Sequence, residues 1–452
     1  MHFKILICMV LYSLVGNFQQ VHAQDTLTQS KSWSLKECLN YAQENNIALN
    51  NLKLAQSSAE QDLISAKAAV LPDLNGSISQ NATHYGSSTS ERSKKINTSG
   101  SIGVNSALTL FNGGTLKATI HQQQLGVTAA GLDVDEAYNN LYLQIIEAYT
   151  NILLDKETVN YAVDLVETSQ AQTNQMRQQY EAGAVAKKDL IQLEAQLASD
   201  QYTLTNAKNA ERQDKIVLKQ LLQLPITEDF DIEKPDAAVL QLTAIPTLNQ
   251  VVEEALANRP EVKNSLLTVE SAKLDLKKAK AGYLPEISLN GGIGTSYGNN
   301  TDMGTFNQFH NNFYQQIGIT ASIPIFTRKI NQTNVAKSNI AIKQAELNLL
   351  NTKTVLSQEV EQSYIQTQNA YSQYDASTKQ LDYNKEAYRI AGEELRVGSA
   401  NTVEYVQQKN LYVQAIQAYT QAKYNALLSL NVFKFYKGDF IENFHTGSVQ
   451  GE

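Results

Sequence analysis

The chain has 452 residues, 37 of them basic and 45 acidic, giving a formal net charge of −8, with 42% hydrophobic residues. No basic run or basic face marks a nucleic-acid footprint, and the apolar residues are too plentiful and too periodic for disorder. Twenty-two glycines and two cysteines exclude collagen-like and disulfide-scaffold classes.

Residues 1–23 read as a secretory signal: Lys4 is the positive start, Ile5 to Gly16 the apolar stretch, and Val21-His22-Ala23 a small-x-small cleavage site. Cleavage there leaves 36 basic and 45 acidic residues, a net charge of −9. Cys8 falls inside the apolar stretch, and Cys38 is expected as a small buried residue on a helix. No later segment holds the run of about 18 apolar residues that a membrane helix needs. Entry into a membrane would have to use strands closed into a barrel.

An internal duplication organises the rest. Shifting the sequence by 213 pairs Ser34–Pro72 with Thr247–Pro285, with 14 of 39 positions identical. A shift of 215 then pairs Tyr180-Glu181-Ala182-Gly183 with Leu395-Arg396-Val397-Gly398. Each copy reads as helix, two strands, very long helix, turn, helix. The copies span 24–224 and 247–437, with a linker at 225–246 and a polar tail at 438–452.

In chain order, the first helix ends at Pro72 or Pro285, where the residue before proline is pushed to extended geometry. Strands are expected at about 72–85 and 96–111, then at 285–297 and 312–326, around polar loops at Tyr85–Lys95 and Gly298–Asn312. Ile102, Val104, Leu108 and Leu110 alternate with small polar residues, as do Phe313, Ile317, Ile319, Ala321, Ile323 and Ile325. This is period two over about ten residues, as in transmembrane strands. Four strands cannot close a barrel, and open edges are not tolerated in lipid, so several chains must pool them.

Prolines occur at 72, 225, 235, 246, 260, 285 and 324 and nowhere else. The proline-free tracts therefore accommodate helices from Gly114 to Tyr180 and Lys329 to Leu395. Each would be about 100 Å long at about 1.5 Å per residue. Leu141, Ile145, Ala148 and Ile152 form a coiled-coil seam, and Tyr138, Tyr142 and Tyr149 are expected to pack between helices. Gly183 and Gly398 are candidate helix caps. Asp189–Gln223 and Thr402–Phe435 return as antiparallel partners. Asn and Gln number about 80 and suit the wall of a water-filled tube.

The chain resembles the TolC-like outer-membrane efflux proteins. The resemblance rests on Ala-Lys-Ala-x2-Leu-Pro at both Ala66–Pro72 and Ala279–Pro285. It rests also on the strand-to-helix junctions Thr109–Gly114 and Ile323–Thr327, and on the tip turns Tyr180-x2-Gly183-x5-Asp189-Leu190 and Leu395-x2-Gly398-x5-Glu404-Tyr405. It covers about Ser34 to Lys437.

It implies a mainly α fold with a transmembrane β portion: a homotrimer with a 12-stranded barrel in the outer membrane, continued by an α-helical coiled-coil barrel through the periplasm. Its partners would be a periplasmic adaptor (membrane fusion) protein, an inner-membrane transporter and outer-membrane lipid. The duct would conduct passively, without cofactor or chemistry, and open like an iris at the periplasmic helix tips. The resemblance places Asp189, Glu404 and Gln407 at the pore constriction, Gln407 standing where the family carries a second acid. Tyr180, Gly183, Leu395 and Gly398 fall in the adaptor-docking tip turns. Leu395 replaces an expected tyrosine and Ala400 a basic latch residue, so the family's gate network is not carried over intact. Asp189 and Glu404 also suit helix N-termini, which favour acids without any gate.

No HExxH, GxSxG or GxxxxGK motif occurs, and His84, His121, His310 and His445 are scattered, so neither a catalytic nor a metal residue is assigned. Gly291-Gly-Ile-Gly294 reads as a close approach or bulge in a strand. The competing reading is a soluble periplasmic coiled-coil structural or adaptor protein.

Overall fold

A computed structural model describes residues 32–84, 86, 96–234, 247–299, 301 and 303–438. The expected signal segment, residues 235–246 of the expected linker, the tail beyond Gly438 and most of the loop Tyr85–Lys95 lie outside the described residues.

The elements follow in chain order: β1 (Ser32–Trp33), α1 (Leu35–Asn45), α2 (Ile47–Ala68), β2 (Asn75–His84), β3 (Ile96–Asn112), α3 (Thr115–Glu181), α4 (Lys187–Leu222) and β4 (Asp231–Ile232). The second copy holds α5 (Leu248–Asn258), α6 (Pro260–Ala281), β5 (Glu286–Gly298), α7 (Thr305–Asn311), β6 (Tyr314–Ser322), α8 (Ile330–Val397) and α9 (Thr402–Lys437). The bounds of α1 and α2 map onto α5 and α6 by a shift of 213, and those of α4 onto α9 by 215.

Four expectations need correction. The opening helix of each copy is two helices. Asn46 breaks it in copy one, with an extended backbone and a side chain accepting from the Leu49 N–H at 3.1 Å. Pro260 starts the second helix in copy two, where its missing N–H costs nothing. Second, β6 ends at Ser322 instead of 326, because Pro324 cannot donate to a ladder, and β2 starts at Asn75 instead of 72. Third, the expected polar loop Gly298–Asn312 contains α7. Fourth, the linker holds β4, which pairs in parallel with β1 and is pinned by Tyr149, whose hydroxyl donates to the Glu233 carbonyl at 2.7 Å.

The core is distributed along the helices. One cluster joins α1, mid-α3 and the ends of α4 and α9, with Ile145 and Ile152 fully buried and Tyr142 stacked on Phe435 at 5.7 Å. The seam residues Leu141, Ile145, Ala148 and Ile152 are all buried, as expected. Cys38 lies in the same cluster, and burial, with the Glu37 charge behind it, pushes its thiol up to about 12. A second cluster joins α5, α8 and α9, and a third sits at the far end of the helices. No described helix is long and apolar enough to cross a membrane.

Candidate functional site

The first functional surface is the sheet. Its strand order is β2-β3-β5-β6, antiparallel throughout, so one edge of β2 and one edge of β6 are unpaired within the chain. Cross-strand partners share a face. One face carries the rows Ile78–Ile102–Thr295, Val104–Ile293 and Leu108–Leu289–Ile319. These apolar residues are uncovered: Ile78 is 82% exposed, Ile317 81% and Ile319 69%. The other face carries Ser77–Gly103–Gly294–Tyr314, Asn75–Asn105–Gly292–Gln316 and Thr109–Ser288–Thr320. Hydroxyls meet there, Ser79 and Ser101 at 2.7 Å.

The register also revises the reading of two motifs. A bulge between Thr109 and Phe111 makes Leu110 the extra residue, and Phe111, not Leu110, pairs with Ile287. Gly292 and Gly294 are close approaches: a Cβ would stand 2.8 Å from the Asn105 Oδ1 and 2.8 Å from the Tyr314 hydroxyl, respectively.

The second surface is the far end of the helices. The α3–α4 and α8–α9 turns each reverse through a left-handed glycine, Gly183 at φ 76° and Gly398 at φ 77°. The carbonyls left by the helix ends are satisfied by Ala184 N–H to Gln179 O at 2.8 Å and Ser399 N–H to Glu394 O at 2.9 Å. Tyr180 is exposed, but Leu395 turns inward onto the cluster of Met176, Leu190, Leu193, Ala391 and Tyr405. Asp189 and Glu404 both occupy the first turn of a helix, and the Asn401 side-chain Oδ1 accepts from the Glu404 N–H at 2.9 Å. Helix electrostatics alone account for those placements.

A cavity of about 320 Å³ separates the two tips, lined by Gln172, Met176, Asp189, Leu395, Gly398, Ala400 and Tyr405 among others. The structure thus brings Asp189, Leu395 and Gly398 together. Tyr180, Gly183, Glu404 and Gln407 stand outside that cavity.

The strongest polar feature of this end was not anticipated. Lys409 of α9 is 1% exposed and donates to the Asp200 Oδ2 of α4 at 2.7 Å. Asp200, itself 3% exposed, also accepts from Ser169 of α3 and, at 2.9 Å, from Gln196; Lys409 also donates to Ser169. Burial holds the Lys409 ammonium below the usual lysine range, opposed by Asp200. One turn nearer the tip, Tyr405 accepts from Gln172 of α3, and its hydroxyl meets that of Tyr388 of α8 at 2.6 Å. Burial, with Tyr388 behind it, raises the Tyr405 phenol. This joint ties the second hairpin to the first and is buried. Among the described residues no group of three His, Cys, Asp or Glu could hold a metal ion.

The profile described as "Outer membrane efflux protein" matches residues 38–223 and again 251–436, together more than four fifths of the chain. The two matches are offset by 213, as the duplication is. The chain is 23% identical over 410 residues to the outer membrane efflux protein BepC of Brucella suis, covering 88% of this chain and 84% of that one. It is 23% identical over 319 residues to the toxin and drug export protein A of Aggregatibacter actinomycetemcomitans, covering 70% of this chain and 65% of that one. Its fold matches the Campylobacter jejuni CmeC outer membrane channel with a TM-score of 0.78 at 20% identity, covering 89% and 85% of the two chains.

Proposed function

The chain belongs to the outer membrane efflux protein family, and from that membership we propose that it is a homotrimeric exit duct of a tripartite efflux or type I secretion system. The observation that carries the assembly is the four-stranded sheet with two unpaired edges. Because the strand number is even, a copy related by rotation about the barrel axis sets its β2 antiparallel to β6, and the ladder continues until the ring closes.

The inward chemistry supports three copies. Two copies would give eight strands, an interior only wide enough for side chains to fill. Ser, Gly, Asn and Thr make up most of the polar face, and Tyr314 and Gln316, the large residues in those rows, are too few to fill it. Three copies give twelve strands around water, with the apolar face against lipid. The same closure would cover apolar residues spaced by seven on the outer helices, Ile47 and Leu54 of α2 and Ile340 and Leu347 of α8, all more than half exposed in the single chain.

In this reading a periplasmic adaptor and an inner-membrane transporter deliver substrate and supply the energy, as the export role in a relative's name suggests. The entrance opens when α8 and α9 swing away from α3 and α4, with Asp189, Glu404 and Gln407 at the constriction. The turns at Tyr180–Gly183 and Leu395–Gly398 meet the adaptor. The buried Lys409–Asp200 joint supports a closed resting state.

The assembly is tested by light scattering of the detergent-purified protein and by its migration in SDS before and after boiling. A trimer mass and a heat-dependent shift are expected; a water-soluble monomer overturns the duct. The constriction is tested by single-channel conductance of Glu404→Ala and Asp189→Ala. If both conduct like the parent, those acids do not line it.

A further inference from the structure

The outward face of the sheet does not end at the strands. α7 packs against it at the end remote from the helices. Thr295, in register with Ile102 on the apolar face, donates from Oγ1 to the Phe309 carbonyl at 2.7 Å, and the rings of Tyr297 and Phe309 lie 5.2 Å apart. Gln308, 5% exposed, fixes the helix to the rim: it accepts from Gly298 N–H at 2.8 Å and donates to the Met303 and Gly298 carbonyls at 2.7 and 2.9 Å. With Gln308 and Phe309 turned to the barrel, Phe306 projects outward at 87% exposure.

The surroundings suit neither open water nor a protein groove. Residues 303–314 contain no Asp, Glu, Lys or Arg, and 297–313 hold four aromatics (Tyr297, Phe306, Phe309 and Phe313) in a chain that is 8% aromatic. At the opposite end of the strands the exposed Phe111, Tyr283 and Phe326 form a second aromatic level. The ten steps from Ile287 to Tyr297, at about 3.3 Å each and tilted about 40°, separate the levels by about 25 Å, the height of the apolar band of an outer-membrane barrel. Aromatic girdles mark the two membrane–water boundaries.

We propose that α7 is an interfacial anchor, lying on the outer side of the barrel at its distal rim and seating Phe306 at the headgroup–acyl boundary of the outer leaflet. The partner is lipid, and the surface continues the lipid-covered face of the sheet. The proposal rests on the barrel reading.

The test uses the full-length trimer reconstituted in vesicles of brominated phosphatidylcholine. The native tryptophan, Trp33, sits in the helical region against Tyr41, so its emission in the parent is subtracted. Two variants are compared, Phe306→Trp and, as a barrel control, Ile319→Trp. Phe306 is too exposed for its replacement to disturb packing. Brominated lipid is expected to quench Phe306→Trp emission by about half, with little quenching by aqueous acrylamide. Strong acrylamide quenching without lipid quenching would put α7 in water and overturn the anchor, provided Ile319→Trp is quenched by lipid. If Ile319→Trp also escapes lipid quenching, the barrel reading itself fails and the anchor falls with it.

Discussion

Replacing Lys409 by Met should loosen the joint between the two hairpins, and the structure sets the size of the effect. Lys409 is the ammonium partner of the Asp200 carboxylate, which is 3% exposed and would keep only Ser169 and Gln196 as donors. Removing one member of a buried pair costs about 3–5 kcal/mol, because the remaining charge is left without compensation. Ser169 and Gln196 still donate to the carboxylate, so the low end of that range, about 3 kcal/mol, is a fair working figure. At about 1.4 kcal/mol per tenfold, the population with parted hairpins should rise about a hundredfold. The readout is open probability in planar bilayers, with SDS-resistant trimer as the check on folding. Lys409→Met combined with Asp200→Leu removes both charges, and such replacements are close to neutral or stabilising. The single variant should therefore leak and the double variant should not. A single variant as quiet as the parent refutes a closing role for the pair. A double variant as leaky as the single shows that lost packing of the lysine stem, not a stranded charge, was the cause.

Three further outcomes follow from the backbone and the charges. Gly113→Ala should destabilise by about 1–3 kcal/mol, since φ is +65° and the new Cβ would stand 2.8 Å from the Ala281 Cβ; thermal dissociation of the trimer reads it. The matching positions of copy two, Arg328 and Lys329, sit at φ 48° and 65°, so Arg328→Gly or Lys329→Gly should raise that midpoint by relieving about 1 kcal/mol each, and a lowered midpoint would contradict the strain. Burial, then the charge and hydrogen bond of Asp214, lift Asp155 to about 7. The folded chain therefore holds this proton more tightly than the unfolded one, whose aspartate titrates near about 3.9, and stability falls as pH rises from about 4 to about 7. Discounted for partial exposure the effect is about 1–2 kcal/mol, and Asp155→Asn should flatten the melting temperature between pH 5 and 8; an unchanged slope assigns it to other groups.

What was legible in the sequence was whatever repeats with a fixed period. Proline-free tracts located helices of 67 and 68 residues to within two residues at their ends, period-two alternation located the return strands β3 and β6, and Pro72 and Pro285 marked the entries to β2 and β5. Several of the misses come from a residue type whose local preference disagrees with the position it fills. Arg328 and Lys329 adopt the left-handed pair that copy one assigns to Gly113 and Gly114, a conformation visible only through the 215-residue offset. Pro260 announced a helix start, and the duplication carries that start to Ile47, where Asn46 passes for a mid-helix residue.

The polar joint was hidden in the same way. Ala162, Ser169 and Met176 recur every seven residues, as do Leu193, Asp200 and Ala207, and Thr402 and Lys409; all are buried. Ser169, Asp200 and Lys409 therefore occupy seam positions that hydrophobic residues normally fill. A polar or charged residue at such a position lowers stability and fixes which helices pair and in what register. Three helices placing their exceptions at one level is the pattern of a register lock. Such a lock belongs in an element that must have one defined resting arrangement and still be able to leave it. An all-apolar seam would hold the hairpins together in several sliding registers, whereas Asp200 and Lys409 are satisfied in one.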